Sequence, residues 1–283
     1  MKVYLDCIPC FMRQALAAAR QATEDKKQQR EVLDKVASLI PTLPLDATPV
    51  DFGRQIHRIA KELTASRDPY RKQKKEYNDR ALALYPQLKT QIEESSDPLL
   101  TSLKVAAAGN IIDFGAHQTF DLDHSLTESI TDDFTPSDYP LFQEWLQETK
   151  EILYIGDNAG EIVFDRIVIE QLNKLGKKIT FAVRAEPIIN DVTIEDASYV
   201  GMDKIAKVIT SGSDAPGTSL RYCTEEFIDT FNHSKLILSK GQGNFEGLSN
   251  EQAPIFFLLK VKCPVVAREL NTTLGKIVLR AGE

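Results

Sequence analysis

The stretch "EILYIGDNAGEIVFD", residues 151–165, passes from an apolar run to acid, amide and glycine, then resumes a hydrophobic rhythm of helical spacing. Strand, polar turn and helix in that order are the unit of a parallel sheet with crossover helices. Downstream, "KKITFAVR" (177–184), "AKVITSG" (206–212) and "SKLILSKG" (234–241) repeat the short β-branched run, and "CPVVAREL" (263–270) reads as a fifth strand.

Upstream the rhythm is helical from Asp6 to about Asn110. Phe11, Ala15, Ala18 and Ala22 recur in steps of three and four and line one helix face. Asp68–Pro69 and Asp97–Pro98 each read as an N-cap followed by a first-turn proline, and Ala106, Ala107 and Ala108 leave room for another helix to approach. Residues 115–148 are rich in acids and turn formers without steady period. The expected fold is α/β: a helical domain (1–114), a connecting segment with short helices (115–150), and an αβα sandwich (151–283) built on a mainly parallel, Rossmann-like sheet.

The chain has 283 residues and a formal charge of −7, which argues against a protein that coats nucleic acid. No apolar run spans a bilayer, and "MKVYLDCIPC" places an acid and two cysteines where a signal peptide keeps its apolar core. A soluble, cytoplasmic protein without membrane or nucleic-acid partner is expected. Four cysteines are too few for a disulfide scaffold. Cys7 and Cys10 form C-x-x-C near a helix start, where the dipole lowers a thiol pKa. Packing, redox and metal readings compete for this pair; Cys223 and Cys263 lie far apart in the sheet domain without a second C-x-x-C, which leaves His57 and His117 as candidate completing ligands.

Ligands of open parallel sheets bind beyond the carboxyl ends of the strands. Those ends are legible here. They carry Asp157, Asn158, Gly160 and Glu161 after the first strand, Arg184 and "AEPIIND" after the second, "SDAPG" with Asp214 after the third, and "KGQGN" after the fourth. Asp157, Asn158 and Asp191 offer hard oxygen ligands suited to a divalent ion such as magnesium or manganese. Lys240 beside Gly241 and Gly243 offers a cation and flexible backbone N–H groups for an anion. Each residue also has a plain structural reading. Asp157 and Asn158 would cap the next helix, Asp165 would be solvated on its face, Arg184 would pair with a carboxylate, and Asp191 would start a turn. Their coincidence on one rim favours a functional crevice.

The segments "DNAGEIVFD" (157–165), "EPIINDVT" (186–193) and "SKGQGNFE" (239–246), preceded by "CIPCFMRQAL" and "GNIIDFG", resemble the damage-control phosphatase family, long catalogued as domain-of-unknown-function family eighty-nine, in its cysteine-bearing, largely prokaryotic branch. The resemblance implies a helical domain on an αβα sandwich and divalent-metal-dependent hydrolysis of small phosphorylated metabolites, with magnesium, manganese, cobalt or nickel as the ion. It implies Asp157, Asn158 and Asp191 as ligands and catalytic residues, Lys240 on the substrate phosphate, and Glu161 and Arg184 within the pocket, to which the loop reading adds Gly241 and Gly243 as substrate-binding residues. The nucleophile is either metal-activated water or a carboxylate such as Asp157. A non-hydrolytic phosphometabolite- or nucleotide-binding protein would use the same crevice. An adenosyl-cofactor methyltransferase would too, but "GDNAGE" lacks the G-x-G-x-x-G spacing.

Overall fold

The computed structural model describes residues 1–44, 46–109 and 133–282. "GNIIDFG" after its first residue, His117 and much of the connecting segment lie outside these. The α/β architecture with a mainly parallel sheet is present. Six strands lie in the order β3-β2-β1-β4-β5-β6. They are β1 (Glu151–Ile155), β2 (Lys178–Val183), β3 (Lys207–Thr210), β4 (Ile237–Lys240), β5 (Ile255–Lys260) and β6 (Ile277–Ala281). All neighbours pair parallel except β6, which runs antiparallel to β5.

The sequence leaves β1 in both directions, to β2 on one side and β4 on the other. Such a reversal of strand order opens a crevice at the carboxyl ends of the two central strands. β1 and β4 pair in register from Leu153↔Ile237 to Ile155↔Ser239, so Asp157 and Lys240 emerge at neighbouring points of the same edge.

Successive side chains of each strand point to opposite faces, and both faces are buried. One face carries Tyr154, Phe181, Leu238 and Phe256, which pack with α5 (Pro98–Ala108) and α7 (Glu161–Lys174). The other carries Leu153, Ile155, Ile237 and Phe257, which pack with α1 (Cys7–Ala22) and α3 (Pro49–Thr64). The N-terminal helices thus contribute to both layers, with α2 (Lys26–Leu39) against α1 and α3, and α4 (Arg71–Glu93) against α5 and α7. Phe11, Ala15 and Ala18 are buried as their spacing predicts, and Ala22 is half-buried.

Three local expectations are corrected. "CPVVAREL" forms a helix over Pro264–Glu269, because Pro264 occupies its first turn and the Cys263 sulfur accepts from Val266 N–H at 3.4 Å. The fifth strand is instead the run "IFFLLK", followed by β6, and neither carries an alternating pattern that marks a strand. Asp97 does cap α5 by accepting from Leu100 N–H at 3.0 Å, but Asp68 does not cap α4, which begins at Arg71 after Tyr70. Among the described residues no helix is long and apolar enough to cross a membrane.

Candidate active site

The loop leaving β1 and the loop leaving β2 are joined by backbone hydrogen bonds. Val192 N–H donates to the Asp157 carbonyl at 2.8 Å and Ala159 N–H to the Asn190 carbonyl at 2.8 Å. This small antiparallel bridge sets Asn158 opposite Asp191. The loops after β3 and β4 close the other side, leaving a polar cleft of about 190 Å³. Asp157, Asn158, Asp191, Gly217, Gly243 and Lys262 are among its lining residues.

Neither Asp157 nor Asn158 caps α7, whose N-cap is Gly160 without a side-chain bond. Asn158 Nδ2 donates instead to Asp157 Oδ2 at 2.8 Å and Glu161 Oε1 at 3.0 Å. That fixes the amide so that its Oδ1 is the atom left for a ligand. Asp191 Oδ2 accepts from Arg184 Nε at 2.8 Å and from Gly217 N–H at 3.1 Å, leaving Oδ1 without a donor among the described residues. Gly241 lies against Asp157: a Cβ there would sit 1.9 Å from Oδ2, and its φ of 85° suits only glycine comfortably.

Behind the cleft most polar groups are paired, although Asp165 Oδ2 and Ser239 Oγ are buried without a hydrogen-bond partner among the described residues. Lys240, 1% exposed, has Nζ 3.2 Å from Glu161 Oε2 and 3.2 Å from Asp165 Oδ1, and Tyr154 donates to Asp165 Oδ1 at 2.7 Å. Asp165 is therefore a core residue at 0% exposure, which corrects its reading as solvated. Lys240 reaches it from β4, a partner that helical periodicity around Asp165 cannot reveal. Arg184, also 1% exposed, donates to Asp191, to Thr218 Oγ1 at 2.8 Å and to Asn244 Oδ1 at 2.7 Å. Glu161, Arg184, Lys240 and Gly241 thus lie around the cleft's rear without lining it. Asp214 pairs with Arg54 and Arg58 of α3 and is not part of the cleft.

The electrostatics follow this layout. Burial, then the neighbouring Glu161 and Asp191, push the Asp157 carboxyl well above the usual carboxylate range. Burial raises Asp191 as well, against the pull of Arg184. Glu161 is equally buried, yet Lys240 and Lys262 hold it below its ordinary value. Burial alone would lower Lys240, but Asp165, Glu161 and Asp157 raise it, so it stays an ammonium.

With that geometry in place, the chain can be set beside known proteins. The Damage-control phosphatase ARMT1-like domain matches residues 3–278. The chain belongs to this family. It is 33% identical to a damage-control phosphatase of Pyrococcus horikoshii, covering 98% of this chain and 97% of that one. It is 30% identical to a damage-control phosphatase of Archaeoglobus fulgidus over 100% of both. The crystal structure of a family member from Pyrococcus horikoshii superposes with a TM-score of 0.92 at 32% identity, covering 100% of both chains. The relatives named for an activity are phosphatases, and the family assignment supports a phosphatase here.

Several residues in and around this cleft have no signal of their own in the sequence. Asn244 lies within the quoted "KGQGN" and holds Arg184, the Gly156 carbonyl at 3.0 Å and the Lys240 carbonyl at 2.6 Å. Lys262 lines the cleft just after β5, so recognising "IFFLLK" as a strand would have put it on the rim. The cysteines follow a different logic. Cys263 comes close enough to Cys7 and Cys10 for electrostatic interaction, although distant in sequence. Burial raises the Cys7 and Cys263 thiols, the reverse of the lowering expected of Cys7 from the helix dipole. All four cysteines are free, and among the described residues no three His, Cys, Asp or Glu side chains are placed to hold an ion.

Proposed function

We propose that the chain is a divalent-metal-dependent phosphatase of small, hydroxylated phosphomonoesters. The supporting observation is a charge imbalance. Among the described residues the four buried carboxylates of Asp157, Glu161, Asp165 and Asp191 share two buried ion-pair partners, Arg184 and Lys240, and the exposed Lys262 acts on Asp157 and Glu161 from the cleft without an ion pair. Buried charges are tolerated when compensated, and the two uncompensated negative charges lie toward the cleft, where Glu161 and Asp191 add to the burial that raises Asp157. A divalent cation would neutralise both. The donor set of two carboxylates and one amide oxygen fits a hard ion such as magnesium, manganese, cobalt or nickel.

Asp157, Asn158 and Asp191 would hold that ion, which supplies charge neutralisation and polarisation of phosphoryl oxygens. Among the described lining residues Lys262 is the cation, so we assign it the first contact with substrate phosphate, aided by the Gly243 backbone. Lys240 works from behind. Paired with Glu161 and Asp165, it steadies the acceptor that orients the Asn158 amide. Arg184 holds Asp191 through Oδ2, and Gly241 lets the β4 loop approach Asp157.

Gln14, Asn190, Gln242 and Glu246 also line the cleft, and such amides and carboxylates match hydroxyl groups. Among the described lining residues there is no aromatic ring on which a base could stack. Phosphate release should be followed over pentose and hexose phosphates, p-nitrophenyl phosphate and nucleoside monophosphates in Mn²⁺. The sugar phosphates should be turned over best. Tight binding of phosphoesters without release would leave a binding protein instead.

A further inference from the structure

Asn78 belongs to α4, far in sequence from every residue of the cleft. It is 1% exposed and makes two directed bonds. Its Oδ1 accepts from Gly160 N–H at 2.7 Å, and its Nδ2 donates to Asp196 Oδ1 at 3.3 Å. A backbone N–H can only donate and a carboxylate can only accept, so the amide has one orientation. Asp196 is in turn locked. Lys74, one turn earlier on α4, places Nζ 2.5 Å from its Oδ2, and Thr193 donates to the same oxygen through N–H at 2.9 Å and hydroxyl at 2.8 Å.

Gly160 and Asp196 are ends of the two segments that carry the oxygen set. Gly160 follows Asp157 and Asn158 and begins α7. Asp196 follows Asp191 and closes the capping box of α8 (Ile194–Tyr199). Backbone bonds already join these segments beside the cleft, and Asn78 joins them a second time at their far ends. Two points of attachment fix both separation and rotation, where one would leave a hinge.

We propose that Asn78 is a positioning residue: from α4 it sets the relative placement of the segment bearing Asp157 and Asn158 and the segment bearing Asp191. This rests on the functional reading above. The helical part of the chain is then a working part of the site, since removing a bond between its α4 and two loops displaces oxygen atoms that α4 never touches.

The test is titration calorimetry with Mn²⁺ on the chelator-treated full chain, alongside thermal unfolding of the same metal-free samples. N78A should bind Mn²⁺ roughly tenfold more weakly, the range in which residues that orient metal ligands act. At saturating Mn²⁺ its KM for substrate should match that of the wild type. N78D keeps the acceptor for Gly160 but sets a carboxylate against Asp196, and should also lose affinity. The double variant N78D/D196N reverses donor and acceptor, leaves Lys74 a carboxylate one turn away, and should regain most of the Mn²⁺ affinity. A role in stability alone predicts lowered unfolding temperatures with unchanged Mn²⁺ affinity, and that result would overturn the proposal. So would a double variant that binds no better than N78D, a comparison that stands even where N78A does not fold. Absence of Mn²⁺ binding by the wild type would overturn the functional reading together with this one.

Discussion

The front and the rear of the crevice are built from the same residue types and behave in opposite ways. At the rear, Lys240 pairs with Glu161 and with Asp165 Oδ1, to which Tyr154 also donates, and Arg184 joins Asp191 Oδ2, Thr218 and Asn244. At the front, Asp157, Asn158 and Asp191 line a cleft together with Lys262. A lysine at the rear is therefore part of the structure, and a lysine at the front is part of the binding surface. Sequence motifs do not separate the two, because Lys240 sits in the more distinctive motif.

Substituting the front carboxylates gives the largest expected effect on turnover. Asp157→Asn and Asp191→Asn should each lower kcat on the order of 10³-fold, the several kcal/mol expected when an ion that stabilises developing charge is lost. The two should differ in stability. Asp157→Asn removes a buried carboxylate that has no ion-pair partner among the described residues and should leave the metal-free unfolding temperature equal or higher. Asp191→Asn strips Arg184 of its carboxylate and should lower it. Equal stability changes would erase the distinction between front and rear.

The lysines sharpen the comparison next. Lys240→Met leaves Glu161 and Asp165 buried without their cation and should cost about 3–5 kcal/mol of stability. Lys262→Ala should change stability by less than about 0.5 kcal/mol. It should nonetheless lower kcat/KM roughly tenfold, as loss of a charge-assisted contact worth about 1.5–3 kcal/mol predicts. Denaturant midpoints and kinetics on the same preparations decide both. A stable Lys240→Met with impaired kinetics would move Lys240 to the front.

A smaller effect belongs to neither region. Burial, with Lys61 adding to it, lowers His57 from 6.5 to about 4. The unfolded chain takes up this proton before the folded one does, so the contribution is fully present above pH 6.5 and lost as pH falls toward about 4. Its full size is on the order of 3 kcal/mol. Unfolding free energies measured across that window should fall with pH in the wild type and fall less steeply in His57→Gln.

What the sequence revealed follows from where each signal is local. Strands β1 to β4 were legible because short apolar, mostly β-branched runs are each followed by a polar or glycine-bearing turn, and the crevice followed because those ends share one edge. The run "IFFLLK" was not, since a strand buried on both faces has no alternation to separate it from a buried helix. Asp165, Asn244, Lys262 and Asn78 depend on partners that only the fold brings close. The gathering of Cys263 with Cys7 and Cys10 is of the same kind.

The central claim is that the front of the cleft is completed by one divalent ion. The most direct measurement is phosphate release from a hexose phosphate by chelator-treated protein as Mn²⁺ is added back in known amounts. The account predicts no release in excess chelator and recovery that saturates with one ion bound per chain. Full turnover after exhaustive chelation would contradict it.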